Sequence, residues 1–219
     1  MEWQNDEELM ALLRAELYTA VIGDILDGRG YTNQFLPPEI QPLDPQMLLV
    51  GRAMPVLEAN VFDTKDSYGL MFAALDDLKP GEIYVASGAS ARYAMWGELM
   101  STAARARGAT GALLNGYVRD TQGILAMEFP VFCVGRFAQD QKGRGRVIDY
   151  RVDVEIGGVR IQPGDMVIGD IDGVVVVPRA VEVEVFSAAL EKARAEKVIK
   201  IELEKGMLAA EAFEKYGIL

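Results

Sequence analysis

Glu98, Arg119 and Asp120 are residues whose types and spacing could do chemistry together. Glu98 follows Gly97 at the start of a predicted helix, and Arg119-Asp120 closes a predicted strand. Twenty residues separate Glu98 from Arg119, enough for one helix, a turn and one buried strand. A strand that follows a helix in this way carries its far end back toward one end of that helix. Two acids and an arginine then converge where the N–H groups of a helix start have no intrahelical partner. Such a cluster suits an anion together with a hard cation. The amides of Leu99 and Met100 and the Arg119 guanidinium would take a carboxylate, and Asp120 and Glu98 would take the cation. Each residue also has a plainer reading. An aspartate at a strand end often serves only a turn or a cap, and a glutamate in a first helical turn is favoured by the helix dipole by ~0.3–1 kcal/mol. Trp96 reads as core or interface rather than as a stacking platform.

Absences narrow the chemistry further. The chain has no histidine. That removes serine–histidine and cysteine–histidine hydrolysis, histidine general-base catalysis and the usual zinc sites. A metal would have oxygen ligands, which favours magnesium, manganese or calcium. The single cysteine, Cys133, lies in the apolar run PVFCVG and reads as a buried core thiol. Lys65, Lys79 and Lys142 sit in polar contexts, which disfavours an imine-forming aldolase with a buried lysine. The glycine-rich GRGR at 143–146 lacks the lysine and hydroxyl of a phosphate loop. Asp24 and Asp27 read as solvated or capping carboxylates, and Asp170 and Asp172 as turn residues.

The elements that must position the cluster follow from periodicity. DEELMALLRAEL predicts a helix capped by Asp6, and TAVIGDILDG a second one stopped by Gly28. The proline-rich stretch YTNQFLPPEIQPLDP is a loop, MLLVGRAMPVLEANV a long strand with Gly51 at a bulge or close approach, and DSYGLMFAALDDL a helix. IYVAS is a buried strand, and the helix that starts near Gly97 is closed by Gly108. TGALLNG is another buried strand, with Asn115-Gly116 read as a turn; a short helix follows Thr121-Gln122-Gly123, and PVFCV is again a strand. VIDYRVDVEIGGVRI and DMVIGDIDGVVVVP predict hairpins turning at Gly157-Gly158 and Asp172-Gly173. Helix–strand alternation followed by hairpins points to a mixed sheet layered with helices. The last helix runs from about Arg179 to Lys205 and is too long for one small domain to cover, so it is expected to pack on a neighbouring subunit.

Of 219 residues half are hydrophobic, and the formal charge is −11. The length fits one domain. The charge argues against nucleic acid and against anionic membrane surfaces, so an anionic substrate would be drawn in by local arginine and amides. No apolar run reaches the ~18–20 residues of a membrane span, and no signal sequence opens the chain, from which a cytoplasmic location is expected.

The ordered motifs GELM, NGYVRDTQGI and GDIDGVVVVP, with a glutamate, twenty residues and then Arg-Asp, resemble the family that joins regulator of ribonuclease activity A with 4-hydroxy-4-methyl-2-oxoglutarate aldolase. The likeness covers nearly the whole chain, as a single RraA-like domain over 1–219 with a C-terminal helical extension over about 179–219. It implies a layered mixed-sheet α/β fold of the swivelling β/β/α type, assembled as a homotrimer or homohexamer with sites between subunits. It implies magnesium, or manganese, held directly by Asp120 and otherwise through waters. Arg119 would bind the carboxylate and keto oxygen of a pyruvate-like unit, with Gly97 and the amides of Leu99 and Met100 holding that carboxylate. Glu98, where characterised aldolases have aspartate, would order metal waters from a carboxylate displaced by roughly 1.5 Å, one bond length. Glu196, or alternatively Glu202, from a neighbour's C-terminal helix would join that shell. The implied activity is metal-dependent retro-aldol cleavage of a 4-carboxy-4-hydroxy-2-oxo acid to pyruvate, or oxaloacetate decarboxylation, through the pyruvate enolate. The substrate's second half would be read by a loop side chain such as Arg92 or by another subunit. The other implied reading is a regulator that inhibits a ribonuclease by protein contact. An older naming of the family as menaquinone methyltransferases finds no glycine-rich nucleotide loop in this sequence.

Overall fold

A long apolar run without alternation needs neighbours on both faces of a sheet, and the chain places Leu49–Asn60 there, buried along most of its length. The computed structural model describes residues 2–62, 65, 68–89 and 93–217. In chain order its elements are α1 (Asp6–Glu16), α2 (Thr19–Gly28), β1 (Gln41–Pro42), β2 (Leu49–Asn60), α3 (Met71–Asp77), β3 (Glu82–Ser87), β4 (Ala94–Trp96), α4 (Glu98–Ala106), β5 (Gly111–Val118), α5 (Thr121–Ala126), β6 (Val131–Arg136), β7 (Gly145–Tyr150), β8 (Val154–Ile156), β9 (Val159–Ile161), β10 (Met166–Asp170), β11 (Gly173–Val177), α6 (Glu182–Glu204) and α7 (Ala209–Tyr216). The sheet runs β1-β6-β5-β3-β2-β10-β11, with β4 beside β5 and β7 beside β2. β2, β3, β5 and β6 are parallel, and β10, β11, β7 and β1 join antiparallel. β8 and β9 form a separate hairpin. The expected mixed α/β sheet layered with helices is what the chain builds.

Along one edge β2 pairs first with β10, as far as Arg52, and then with β7 from Val56. Pro55 falls between the two partners, where its missing N–H interrupts neither ladder on that edge. A Cβ on Gly51 would lie 2.6 Å from the Gly81 carbonyl, so Gly51 marks a close approach; the bulge lies at Leu57/Glu58 instead.

One core fills the space between the sheet, α3, α4, α5 and the β8–β9 hairpin. A second lies under α1, α2 and α6. The inner half of α6 (Val185, Phe186, Ala189, Leu190, Ala193) is buried within its own chain, so this chain itself covers half of the helix expected to need a neighbour. Arg52 ties this layer to the sheet. Its guanidinium binds Asp6 on α1 (2.6 Å), Glu182 at the start of α6, and the Gly164 carbonyl (3.1 Å).

Local readings need three corrections. Asn5, not Asp6, caps α1 by accepting from the Glu8 N–H at 2.9 Å, which frees Asp6 for Arg52. Gly28 is the last residue of α2, and Gly30, at φ +84°, makes the turn. Asn115-Gly116 is not a turn. It lies inside β5, where the pairing with β6 shifts register and where the absent side chain of Gly116 makes room for Met95. The aspartates behave as expected: Asp170 accepts from the N–H and hydroxyl of Thr19, both at 2.8 Å, and from the Asp172 N–H, joining the β10–β11 turn to the start of α2.

Candidate functional site

Two neighbouring parallel strands end side by side. β4 passes through Gly97 into α4, and β5 ends in Arg119-Asp120 before α5. The Arg119 N–H donates to the Trp96 carbonyl at 3.0 Å, which places the two strand ends against each other. Carboxyl ends of parallel strands are where α/β sheets place ligands. β4 was not expected from the sequence; three residues are too few for a periodic signal.

Gly97 has φ −158°, an extended value open to any residue, so glycine is needed for space. A Cβ there would sit 2.7 Å from Asp120 Oδ2 and 3.5 Å from Arg119 Cγ. Gly97 also has no side chain to cap α4, whose first amides, Glu98 to Met100, begin the helix at this spot. Asp120 is in the left-handed region (φ 57°, ψ 34°), which costs a non-glycine residue roughly 1–2 kcal/mol. It occupies the N-cap position of α5 but makes no side-chain cap hydrogen bond. The strain therefore goes with a carboxylate turned toward Gly97 and the pocket rather than toward its own helix.

Arg119 is flanked by carboxylates. Its Nε is 3.7 Å from Asp120 Oδ2, and its Nη2 is 3.5 Å from Asp140 Oδ1. Both separations exceed a good hydrogen bond, so these contacts orient the guanidinium while leaving donors for a ligand. Asp140, missed by the sequence reading, arrives from the loop before β7 through a bridge to Ala94. No local pattern marks it, because its role depends on pairing with a strand some forty-five residues earlier in the chain. Together Gly97, Leu99, Met100, Arg119, Asp120 and Asp140 line one cavity of about 320 Å³ between α3 and α4, floored by Trp96. The Trp96 indole is held by donation to Ser101 Oγ at 2.7 Å.

Other expected residues are placed elsewhere. Glu98 is outside this lining; its carboxylate lies against Gly123, where a Cβ would collide with it. Glu196 sits on α6, bonded to the Tyr18 hydroxyl and 3.7 Å from Lys192 Nζ, and Glu202 pairs with Lys205. Within one chain neither lines the cavity. Arg92 lies outside the described residues. Cys133 is buried, and burial raises its thiol to about 11, as befits an inert core thiol.

Behind Trp96 and Gln141 lies a buried acid. Glu58 is 1% exposed, and burial raises its carboxyl to about 8 against an ordinary 4.5, although hydrogen bonds from Tyr93 (3.3 Å) and Gln141 (3.1 Å) pull the other way.

Among the described residues no group of three or more acids or thiols is placed to hold a metal. The donors present suit a hydrated magnesium, which keeps several waters and is held by one or two carboxylates plus substrate oxygens. Asp120, about half exposed and free of capping duty, is the residue that fits. Chemically, the arrangement offers a guanidinium and helix-start amides for a carboxylate beside a carboxylate for a hard cation.

A family model described as RraA-like, Aldolase/RraA, matches residues 19–176. A protein of Halalkalibacterium halodurans named "Putative 4-hydroxy-4-methyl-2-oxoglutarate aldolase" is 34% identical over 80% of this chain and 79% of its own. A solved structure of an uncharacterised protein from Pseudomonas syringae superposes with a TM-score of 0.86 at 28% identity, over 99% of this chain and 97% of that one. The structure of Streptomyces coelicolor RraAS2, described as an unusual member of the RNase ES inhibitor RraA protein family, gives 0.78 at 25% identity, over 90% and 98%.

Proposed function

The chain belongs to the RraA-like family of Aldolase/RraA proteins, and from that membership we propose that it is a carbon–carbon lyase acting on a 2-oxo acid at the cavity beside Arg119 and Asp120. The reaction is retro-aldol cleavage of a 4-hydroxy-2-oxo acid to pyruvate, or decarboxylation of oxaloacetate. The observation that carries the reading is Asp120 itself: a strained aspartate at a helix cap that does not cap, held beside Arg119 and a glycine that leaves it room.

Arg119 would hold the substrate carboxylate and keto oxygen, with the amides of Leu99 and Met100 completing the cradle. Asp140 would keep the guanidinium in register. Asp120 would hold magnesium or manganese, with Glu98, and Glu196 from a second subunit, acting through waters. Bound there, the cation would act as a Lewis acid toward charge developing on the keto oxygen. Arg119 would share that charge, as a preorganised donor does, for which losses of roughly 10²–10³ on removal are usual.

The test is pyruvate release from oxaloacetate and from 4-hydroxy-4-methyl-2-oxoglutarate, with magnesium and with a chelator. Chelation should abolish release, and Asp120→Ala should lower kcat/KM by at least ~10³. Release that ignores chelator, or none from either acid, would overturn the reading. A second reading, a regulator that binds a ribonuclease, draws on the likeness to RraAS2 and on the acidic charge of −11, which suits a basic partner. Asp120→Ala separates the two, because inhibition by surface contact should survive it.

A further inference from the structure

The cavity has two unlike ends. One end holds Arg119, Asp120, Asp140 and Gln141; away from it, Tyr68, Met71, Phe72 and Leu75 from the α3 side face Leu99, Met100 and Ala103 of α4. Tyr68 and Phe72 meet edge to face at 5.5 Å, which stiffens that wall. At roughly 30 Å³ per non-hydrogen atom, the share of a water molecule, a pyruvate unit takes a little over half of the 320 Å³. Room remains for roughly four or five further atoms, and the walls around that room are apolar. Phe72 is 59% exposed and Leu99 83% in the chain as described, a large apolar rim beside a charged recess.

Charge points the same way. Among the described lining residues Arg119 is the sole cation, and it already faces two carboxylates. A divalent cation at Asp120 would turn that balance into a single positive charge, which one substrate carboxylate neutralises. A second carboxylate, placed beyond the first, would meet Phe72 and Leu99 and no counter-charge among the described residues, and would leave water at a cost of several kcal/mol.

Building on the lyase reading above, we propose that the substrate is a 2-oxo acid with one carboxylate and an apolar, uncharged distal half, such as a branched alkyl or aryl group, received by Phe72, Leu99 and their neighbours. In the cleavage, the C3–C4 bond breaks and its electron pair passes to the pyruvate enolate. The C4 hydroxyl loses its proton to a base as C4 becomes the carbonyl of an apolar aldehyde or ketone, and C3 of the enolate takes up a proton. No oxidant or reductant is needed.

Trp96 floors the cavity, so ligand affinity can be read from its fluorescence in the magnesium-loaded protein without turnover. Pyruvate, 2-oxo-4-methylpentanoate, phenylpyruvate and 2-oxoglutarate are titrated in turn. The two apolar acids should bind at least ~10-fold more tightly than pyruvate, as expected for burying one apolar side chain, and 2-oxoglutarate no more tightly than pyruvate. Phe72→Ala should remove most of that gap. Tighter binding of 2-oxoglutarate than of the apolar acids, or a gap that persists undiminished in Phe72→Ala, overturns this proposal while leaving a pyruvate site standing. Failure of all four acids to bind, pyruvate included, overturns the lyase reading and this proposal with it.

Discussion

At the scale of single residues, Gly97 and Asp120 form a unit. Gly97 is glycine for want of space, not for its φ, so Gly97→Ala should fold normally yet push the Asp120 carboxylate aside. Misplacement of a reacting group by about 1 Å can cost ~10²-fold in rate, so kcat should fall by roughly that factor with Tm nearly unchanged. Equal losses in Tm and activity would mean that Gly97 serves the fold. Glu58 offers a prediction with a definite sign. Native Glu58 keeps its proton until about pH 8, whereas an unfolded glutamate releases it near 4.5. Between those values the native state carries the extra proton, so Glu58 makes stability fall as pH rises through that window and level off above it. The slope from one proton is on the order of 1.4 kcal/mol per pH unit. Glu58→Gln, which keeps the shape beside Tyr93 and Gln141 without a titrating group, should flatten that slope in urea titrations at successive pH values. An unchanged slope would mean that Glu58 is ionised in the fold.

At the scale of elements, the convergence of Glu98's helix start with Arg119-Asp120 was legible because a helix followed by a buried strand can return only to the neighbourhood of the helix's beginning. What the sequence does not display is the partner that fixes the distance. β4, three residues long, has no periodicity to read, and Asp140 joins it through a bridge that no local pattern encodes. Asn115-Gly116 misled for a physical reason. The pair that favours a turn also suits a position where a strand shifts register and must admit Met95. Conversely, the buried strands and the Asp170 turn were readable because each depends on neighbours in sequence. Arg52 is a tie that only the fold reveals, since Asp6, Arg52 and Glu182 come from three distant segments. Its side chain is 9% exposed and Glu182's 13%, so removing the guanidinium strands a buried carboxylate. Arg52→Ala should cost roughly 3–5 kcal/mol in urea unfolding. A loss below about 1 kcal/mol would mean that water already screens the pair.

At the scale of the whole molecule, charge and apolar surface pull in opposite directions. Each chain carries −11, so copies repel. Yet Val198 and Ile201 on the outer half of α6, and Leu208 and Phe213 at α7, are 50–71% exposed, a stretch that a single chain leaves uncovered. Such a surface is best accounted for by contact with another copy, which would also be the route by which Glu196 could reach a second chain's Asp120. If apolar contact drives assembly against electrostatic repulsion, association must strengthen with salt, because screening over ~10 Å at 0.1 M removes the repulsion and leaves the contact. Sedimentation should therefore show a trimer or hexamer whose dissociation constant falls as sodium chloride rises from low to moderate concentration. The pair Ile201→Lys with Phe213→Glu should shift the distribution to smaller species, with lyase activity falling in step if the site draws on a neighbour. A monomer with full activity at all salt concentrations would place every working residue within one chain and leave Glu196 to its bond with Tyr18.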